Sequence, residues 1–585
     1  MRRMMRMLVP AALGLIGAGC TLAAGAPLSP AAAQASADAP LAAMEGRADA
    51  ICSRYFAAYQ DRSEEGGGMT LPPMVLPAPA LPPPPPPPPS LPVAETADAS
   101  SITVTAMARA TPRTANRERY AGEAVAGIMA VADAPVSTFS VDVDTGSYAN
   151  VRRMLTDGEL PPAAAVRTEE MLNYFRYDYP APASRDAPFA VATDVTRTPW
   201  NEATRIVRIG LTGFDLPREN RVPANLVFLV DVSGSMNSLD KLPLVQCSLA
   251  LAAEQLDPRD RIAIVTYAGS SGVLLEPTSD KQAVLRALDG LQAGGSTAGA
   301  SAIELAYDLA RRNYREAQVN RIILATDGDF NVGLVDNDAL VDMVEREREA
   351  GISLTTLGFG TGNYNEAMME QIADHGNGNY FYIDGPEEAA KVLGSELAST
   401  LFTIASDVKV QVEFNPAYVA EYRLIGYENR ALAEEDFTND AVDAGEIGAG
   451  HQVTALYEVV PAGADGWLPD RRYEANRRPQ ASGDRNGEAA MVSLRYKPAQ
   501  GRHSRLVEVP LPVGMLVDAR PPAGETAFAL AVAGYGQLLR GDTRLGDWTY
   551  RDSAALAQGS ASSALRRQFI GLARRAAELE RSGGG

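Results

Sequence analysis

The chain has 585 residues, far more than one compact domain of about 150 residues, so several domains are expected. Its 46% content of hydrophobic residues is ample for buried cores, and its formal net charge of −20 argues against nucleic acid as a partner. Basic or cationic partners remain open.

The first residues have the order of a secretory signal. Arg2, Arg3 and Arg6 precede a mostly apolar stretch from Met7 to Ala18, which is too short and too rich in small residues for a permanent membrane span. We therefore assign residues 1–19 to a signal peptide.

Cys20 is a candidate lipid attachment site. Gly17-Ala-Gly-Cys20 resembles a bacterial lipoprotein processing site, although Gly17 stands where Leu is usual. The resemblance implies that Cys20 becomes the lipidated first residue, and Thr21 after it fits sorting to the outer membrane. The protein would then contact the membrane through this lipid anchor only. Ordinary signal cleavage after Ala33-Gln-Ala35 is the alternative.

Residues 20–135 are interpreted as a low-complexity linker rich in Pro and Ala. The unbroken proline run Pro82–Pro89 predicts a semi-rigid polyproline spacer, with a docking motif for a proline-binding domain as the alternative. A short helix is expected between residues 38 and 59. Cys52 in this linker and Cys247 further on are predicted to be free thiols, Cys247 as a small core residue, because the chain offers no disulfide framework.

Residues 136–216 mix strand-like runs with one helix near Thr168–Phe175. They predict a small α/β or β-rich module, whose strands are candidates for sheets shared with the C-terminal region. Residues 401–585 are again rich in strand patterns and end in two helical segments, 526–539 and 563–579.

Residues 217–400 alternate buried-strand runs with helical patterns, which specifies a parallel sheet covered on both faces. The fold class predicted for this central domain is α/β, with a doubly wound, mostly parallel sheet. The strand runs are Leu226–Val230, Ile262–Tyr267, Ile322–Ala325 and Leu354–Phe359, and the helices include Leu244–Gln255, Ala302–Arg312 and Leu340–Ala350.

Oxygen-bearing side chains cluster after the first of these strands. Asp231-Val-Ser-Gly-Ser235 supplies one carboxylate and two hydroxyls at the carboxyl end of a strand, where ligands of open α/β sheets bind. Such side chains suit a hard divalent cation, and a serine-rich turn capping the next helix is the alternative. Gly294-Gly-Ser-Thr297 and Ala325-Thr-Asp-Gly328 are placed where a doubly wound sheet would bring further ligands near.

Together the three segments resemble the metal ion-dependent adhesion site of von Willebrand factor type A (VWA) domains. The resemblance implies that Asp231, Ser233, Ser235, Thr297 and Asp327 hold a cation, Mg²⁺ or another divalent ion such as Mn²⁺ or Ca²⁺. Some ligands of that site bind directly and others through water. Thr297 is chosen over Ser296 by alignment alone.

The resemblance extends over most of residues 136–585. The segments 136–148, 225–236, 324–333 and 422–430 are similar to a bacterial cell-envelope family that carries a VWA domain between an N-terminal and a C-terminal region of poorly known role.

Several catalytic chemistries lack residues that they need. Asp144-Thr-Gly-Ser147 copies the loop of aspartic proteases, but no second copy supplies the partner carboxylate, so only a homodimer could form that site. A dehalogenase-type motif at Asp142-Val-Asp144 and a calcium loop at Asp329 and Asn331 each depart from their patterns. No zinc-protease, serine-hydrolase or phosphate-loop pattern is present, and no catalytic residue is assigned.

The charge of the metal site favours binding over catalysis. Three hydroxyls and two carboxylates leave no spare negative charge around a divalent cation, so an acidic residue of a partner protein is a natural completing ligand. The expected function is extracytoplasmic, metal-dependent protein binding. The alternatives are a metal-assisted hydrolase, for which Lys241 is the closest base in sequence but is predicted to be solvated, and a structural envelope protein.

Overall fold

A computed structural model describes residues 30–65, 118–141, 144–295, 299–328, 337–362, 364–440, 442, 444–469, 486–499, 501 and 503–583. The predicted signal peptide, Cys20 and the proline run Pro82–Pro89 lie outside these ranges. Within them, none of the helices has the length and apolar character needed to cross a membrane.

The N-terminal part contains one long helix, four strands and two shorter helices. They are α1 (Pro30–Glu65), β1 (Met129–Ala130), β2 (Val136–Ser140), α2 (Gly146–Thr156), α3 (Thr168–Asn173), β3 (Phe189–Arg197) and β4 (Arg205–Gly213). The helix expected near residue 168 is present. Helix α2, which begins within the Asp144-Thr-Gly-Ser147 sequence, was not predicted.

The central part forms the predicted α/β sheet. Its elements are β5 (Ala224–Asp231), α4 (Leu242–Glu254), β6 (Arg261–Tyr267), β7 (Ser271–Thr278), α5 (Lys281–Asp289), α6 (Ala300–Arg312), β8 (Val319–Thr326), α7 (Asn337–Glu349), β9 (Ser353–Phe359), α8 (Glu366–His375), β10 (Tyr380–Ile383), α9 (Pro386–Ala389) and α10 (Leu397–Leu401). The strand order is β10-β9-β8-β5-β6-β7, and only β7 runs antiparallel to its neighbour. Every residue of β5 is buried, as an inner strand covered on both faces requires.

The C-terminal part is made of antiparallel strands followed by helices. These elements are β11 (Thr403–Phe414), β12 (Val419–Ile425), β13 (Ala431–Leu432), β14 (Ile447–Gly448), β15 (Gln452–Pro461), β16 (Glu488–Pro498), β17 (Arg505–Pro512), α11 (Val513–Val517), α12 (Gly524–Leu539), α13 (Tyr550–Ala557) and α14 (Ala564–Gly583).

Strands from before and after the central domain form one sandwich. One sheet has the order β1-β12-β15-β4-β3, and the other has β13-β2-β11-β16-β17. Their inner faces share a core that includes Phe139, Val207, Val410 and Tyr457, and α12 and α14 pack with α2 and α3 on the outer face of the first sheet. Residues 136–216 therefore fold together with residues 401–585, and the central domain is inserted between them in sequence.

Helix α1 corrects two expectations for the N-terminal linker. It is 36 residues long rather than short, and it buries Met44, Ala48, Cys52 and Tyr55 against the core of the central domain. Cys52 forms a disulfide with Cys247 of α4, so the prediction of free thiols is wrong. The two cysteines are 195 residues apart, and only the packing of α1 along α4 brings them together.

A buried cluster of carboxylates joins α3 to the start of α8. Arg167 pairs with Glu170 at 3.2 Å and also with Glu370. Glu366 is fully buried, its nearer oxygen is 3.8 Å from Arg167, and neither oxygen has a hydrogen-bond partner among the described residues. Removal from water raises the pKa of Glu366 from 4.5 to about 8.

The disulfide generates a prediction about stability. We expect the double substitution Cys52→Ala and Cys247→Ala to lower the free energy of unfolding by about 2–4 kcal/mol, because the cross-link restricts the unfolded chain. Denaturant unfolding with and without dithiothreitol measures this difference. The wild-type protein in reductant should match the double variant, and alkylation of both thiols in protein secreted to an oxidising compartment would contradict the pairing.

Glu366 generates a prediction about pH. Because its pKa is raised, the folded state binds the Glu366 proton more tightly than the unfolded state does. This difference stabilises the folded state below pH 4.5, and the stabilisation is lost as the pH rises through about 8. The side chain introduced by Glu366→Gln stays neutral at every pH. The unfolding temperature of this variant should therefore be close to that of wild type near pH 5 and higher than that of wild type at pH 9. Glu370→Gln, the control, loses its ion pair with Arg167 and should be less stable at both pH values. A difference in unfolding temperature between wild type and Glu366→Gln that does not change with pH would contradict this expectation.

Candidate metal centre

The first segment of the site is the loop that follows β5. Asp231 ends the strand and is 0% exposed, and Ser233 and Ser235 flank the start of a single 3-10 turn. The backbone N–H of Ser233 donates to Asp231 Oδ1 at 2.8 Å, and the Ser233 and Ser235 hydroxyl oxygens are 2.9 Å apart. The three side chains predicted as ligands in this segment are therefore gathered in one turn.

The second segment follows β8, the parallel neighbour of β5. Thr326 Oγ1 donates to Asp231 Oδ2 at 3.1 Å, and Asp327 is buried next to it. Removal from water, with the charge of Asp327 as a smaller cause, raises the pKa of Asp231 to about 6. Gly328 has a φ of +80°, and an added Cβ would lie 2.7 Å from the backbone N of Asn365, so only glycine fits this turn.

The third segment approaches the same loop through its backbone. Gly294 N–H donates to the carbonyl of Val232 at 2.8 Å, and Gly234 N–H donates to the carbonyl of Gly295 at 3.0 Å. Ser296 and Thr297 lie outside the described residues, so Thr297 stays a prediction. The backbone contact at Gly295, two residues before Thr297, brings this segment to the site.

Lys241 lies beside the candidate site in an environment that the sequence interpretation got wrong. It was predicted to be solvated, but its side chain is buried and its Nζ donates to Asp327 Oδ2 at 2.8 Å. Its aliphatic stem lies against Gly360, where an added Cβ would come within 2.4 Å of it. The loop after β9 therefore covers Lys241, and no local pattern in the sequence reports that contact.

The side chains present fit a hard divalent cation. The described donors are the oxygens of Asp231, Ser233, Ser235 and Asp327, the ligand type that Mg²⁺ prefers. The described ranges contain no group of three or more His, Cys, Asp or Glu side chains that could hold a metal, so any cation here depends on hydroxyl ligands. Among the described residues, no positive side chain pairs with Asp231 as Lys241 pairs with Asp327, so a bound cation would also compensate the buried charge of Asp231.

The protease-like loop at Asp144 makes contacts that hold the fold together. Asp144 is buried, its Oδ1 accepts a hydrogen bond from the backbone N–H of Tyr380 at 3.0 Å, and its Oδ2 is 3.4 Å from Arg430. Gly146 packs so closely on the Tyr380 ring that an added Cβ would lie 2.2 Å from it. These contacts fasten the start of α2 to β10. Asp142, Asp329 and Asn331 lie outside the described residues.

Three families match the chain, and the boundaries of the matched ranges agree with the parts of the fold described above. Residues 114–208 match a family described as von Willebrand factor, residues 225–394 match the von Willebrand factor type A domain, and residues 399–579 match the C-terminal domain of the uncharacterized protein YfbK. The second range covers the central sheet and both described carboxylates of the candidate site.

Individual proteins show the same similarity. The uncharacterized protein sll0103 of Synechocystis is 28% identical over 187 residues, which is 32% of this chain and 43% of that protein. A solved von Willebrand factor type A structure from Catenulispora acidiphila is 15% identical, covers 69% of this chain and 89% of its own, and has a TM-score of 0.37. The uncharacterized protein YfbK of Escherichia coli strain K12 is 47% identical over 453 residues, covering 76% of this chain and 78% of that protein. The chain thus belongs to the family of VWA-domain proteins that includes YfbK.

Proposed function

We propose that the protein binds partner proteins through a divalent cation, Mg²⁺ or a similar ion, held by Asp231, Ser233, Ser235, Thr297 and Asp327. VWA domains mediate protein–protein interactions generally, and this chain contains one. The observation that carries the proposal is the meeting of two buried carboxylates and two hydroxyls at the ends of adjacent parallel strands. The carboxylate of an acidic side chain of the partner would complete the coordination.

The charge of Lys241 strengthens the preference for an acidic partner. Two carboxylates would neutralise a divalent cation, and the buried ammonium of Lys241 then leaves the site with a net positive charge. Charge buried without a counter-ion is costly, so an incoming carboxylate gains more here than at a neutral site.

The disulfide supports a location outside the cytoplasm. Disulfides persist in oxidising compartments such as the bacterial periplasm and are rare in the cytosol. The bond between Cys52 and Cys247 therefore agrees with the predicted signal peptide and with attachment through Cys20 to the envelope, which we propose as the protein's location.

The environment of Lys241 also bears on the hydrolase alternative. Metal-assisted hydrolysis needs a base or nucleophile besides the metal ligands. Lys241 was the candidate closest in sequence, but its ammonium is bound to Asp327, where it acts as a counter-ion. This observation favours binding over catalysis. Turnover tests on phosphoester and peptide substrates separate the two functions.

The proposed ligands can be tested by metal binding. We expect Asp231→Ala to weaken Mg²⁺ binding by at least about tenfold in isothermal titration calorimetry, because it removes one of two anionic ligands. It should also abolish Mg²⁺-dependent, chelator-sensitive capture of envelope proteins. Asp240→Asn, in the same loop but bonded to Ser238, is the matched control and should bind like wild type. Unchanged metal affinity in Asp231→Ala would sink the proposal.

Substitution of Lys241 is expected to have the opposite effect on Mg²⁺ affinity. Lys241→Met removes a positive charge beside the site, so we expect Mg²⁺ to bind at least about tenfold more tightly. Without metal the variant should unfold at a lower temperature than wild type, because Asp327 is left buried without its ion pair, and Mg²⁺ should restore much of this loss. Lys241→Arg keeps the charge and serves as the control. Equal or weaker Mg²⁺ affinity in Lys241→Met would show that Lys241 does not act on the metal.

A further inference from the structure

A pocket of 440 Å³ lies beside the proposed metal loop. Four parts of the chain line it: the last turns of α1 with Tyr59 and Arg62, the residues after Ser235 with Asn237, the start of α4, and residues 291–293. Its volume is in the range of about 300–1,000 Å³ that is typical of ligand sites.

Two segments that line the pocket directly adjoin, along the chain, the segments of the candidate metal centre. Asn237 follows Ser235 by two residues, and residue 293 directly precedes Gly294, whose N–H is bonded to the carbonyl of Val232. Helix α1 is held in place by the disulfide at Cys52, and near its end the hydroxyl of Tyr59 donates to the carbonyl of Asn237 at 3.2 Å. The end of α1 therefore contacts the loop that carries Ser233 and Ser235.

The polar groups of the pocket indicate what would occupy it. Arg62 is exposed, and among the described residues that line the pocket it is the only charged one, in a chain with a net charge of −20. Gln246 is 1% exposed, and its amide nitrogen donates to the carbonyl of Leu288 at 2.6 Å. Its Oε1 is buried behind the pocket wall and has no hydrogen-bond partner among the described residues. The exposed guanidinium of Arg62 is the feature of this pocket that matches an acidic side chain of a peptide.

We propose that this pocket seats the residues next to the partner's metal-binding carboxylate, and that Arg62 pairs with a second acidic side chain of the same partner segment. This inference rests on the proposed function and adds a partner class to it: a peptide segment with two acidic residues at a fixed spacing. Helix α1, which lies outside the central domain in sequence, would then determine specificity.

Selection of peptides tests the inference on the whole protein. A phage library of short random peptides is bound in Mg²⁺, washed, and eluted with EDTA. We expect the peptides eluted from the wild-type protein to share two acidic residues at a constant spacing. Selection on Arg62→Gln should retain the first acidic residue and lose the constant second one.

A synthetic peptide of the selected sequence makes the effect quantitative. Loss of a partly exposed ion pair predicts about fivefold weaker binding to Arg62→Gln in fluorescence polarisation. Gln292→Glu places a negative charge at the pocket and should weaken binding to a similar extent. Arg47→Gln changes an exposed arginine earlier on the same helix and is the matched control, with unchanged affinity expected.

The outcomes separate the two proposals. Metal-dependent peptides with a single acidic residue, or the same peptides selected on wild type and on Arg62→Gln, would overturn the role of the pocket and leave the proposed function standing. A library from which EDTA elutes no peptide would count against the proposed function, and the pocket inference would fail with it.

Discussion

The structure of the candidate site depends on one constraint, the burial of two carboxylates at the ends of adjacent parallel strands. Pairing of β5 with β8 puts Asp231 and Asp327 at the same edge of the central sheet, where both are removed from water. Like charges in such a place destabilise each other unless a cation compensates them. Lys241 supplies one positive charge from the protein itself, and a divalent cation would supply the rest. The resulting positive excess is the physical basis for expecting an acidic partner.

The central domain is held from both sides by parts of the chain that are distant in sequence. Arg152 of α2 pairs with Asp384 at 2.5 Å and with Glu388 at 2.6 Å, and Asp144 bonds to Tyr380, so the sandwich is fastened to the end of the central sheet at β10. On another face, α1 is fixed to α4 by a covalent bond. The proposed metal loop therefore belongs to a domain that is surrounded by the flanking regions of the chain, and the pocket at the end of α1 is one consequence.

The central fold and the positions of two of the three segments of the candidate site follow from local sequence patterns. Apolar runs that end in a carboxylate, such as Leu226–Val230 before Asp231, identify buried strands and the loops at their ends without any knowledge of long-range contacts. Asp231, Ser233 and Ser235 are also close in sequence, so their proximity in one turn was predictable. Asp327 was placed correctly beside Asp231 because parallel strands share an edge for their carboxyl ends. Thr297 rests on the resemblance alone.

The tertiary structure decided what depends on residues far apart in the chain. The disulfide between Cys52 and Cys247, the ion pair of Lys241 with Asp327, and the sandwich built from both flanks each join segments separated by tens to hundreds of residues. Helix α1 escaped a full prediction because alanine gives little contrast between a buried and an exposed helix face. The sequence by itself determined the α/β alternation and the oxygen-bearing side chains of the loops, since those patterns are local. The partners of Lys241 and Cys52 are set by packing, which no single stretch of sequence contains.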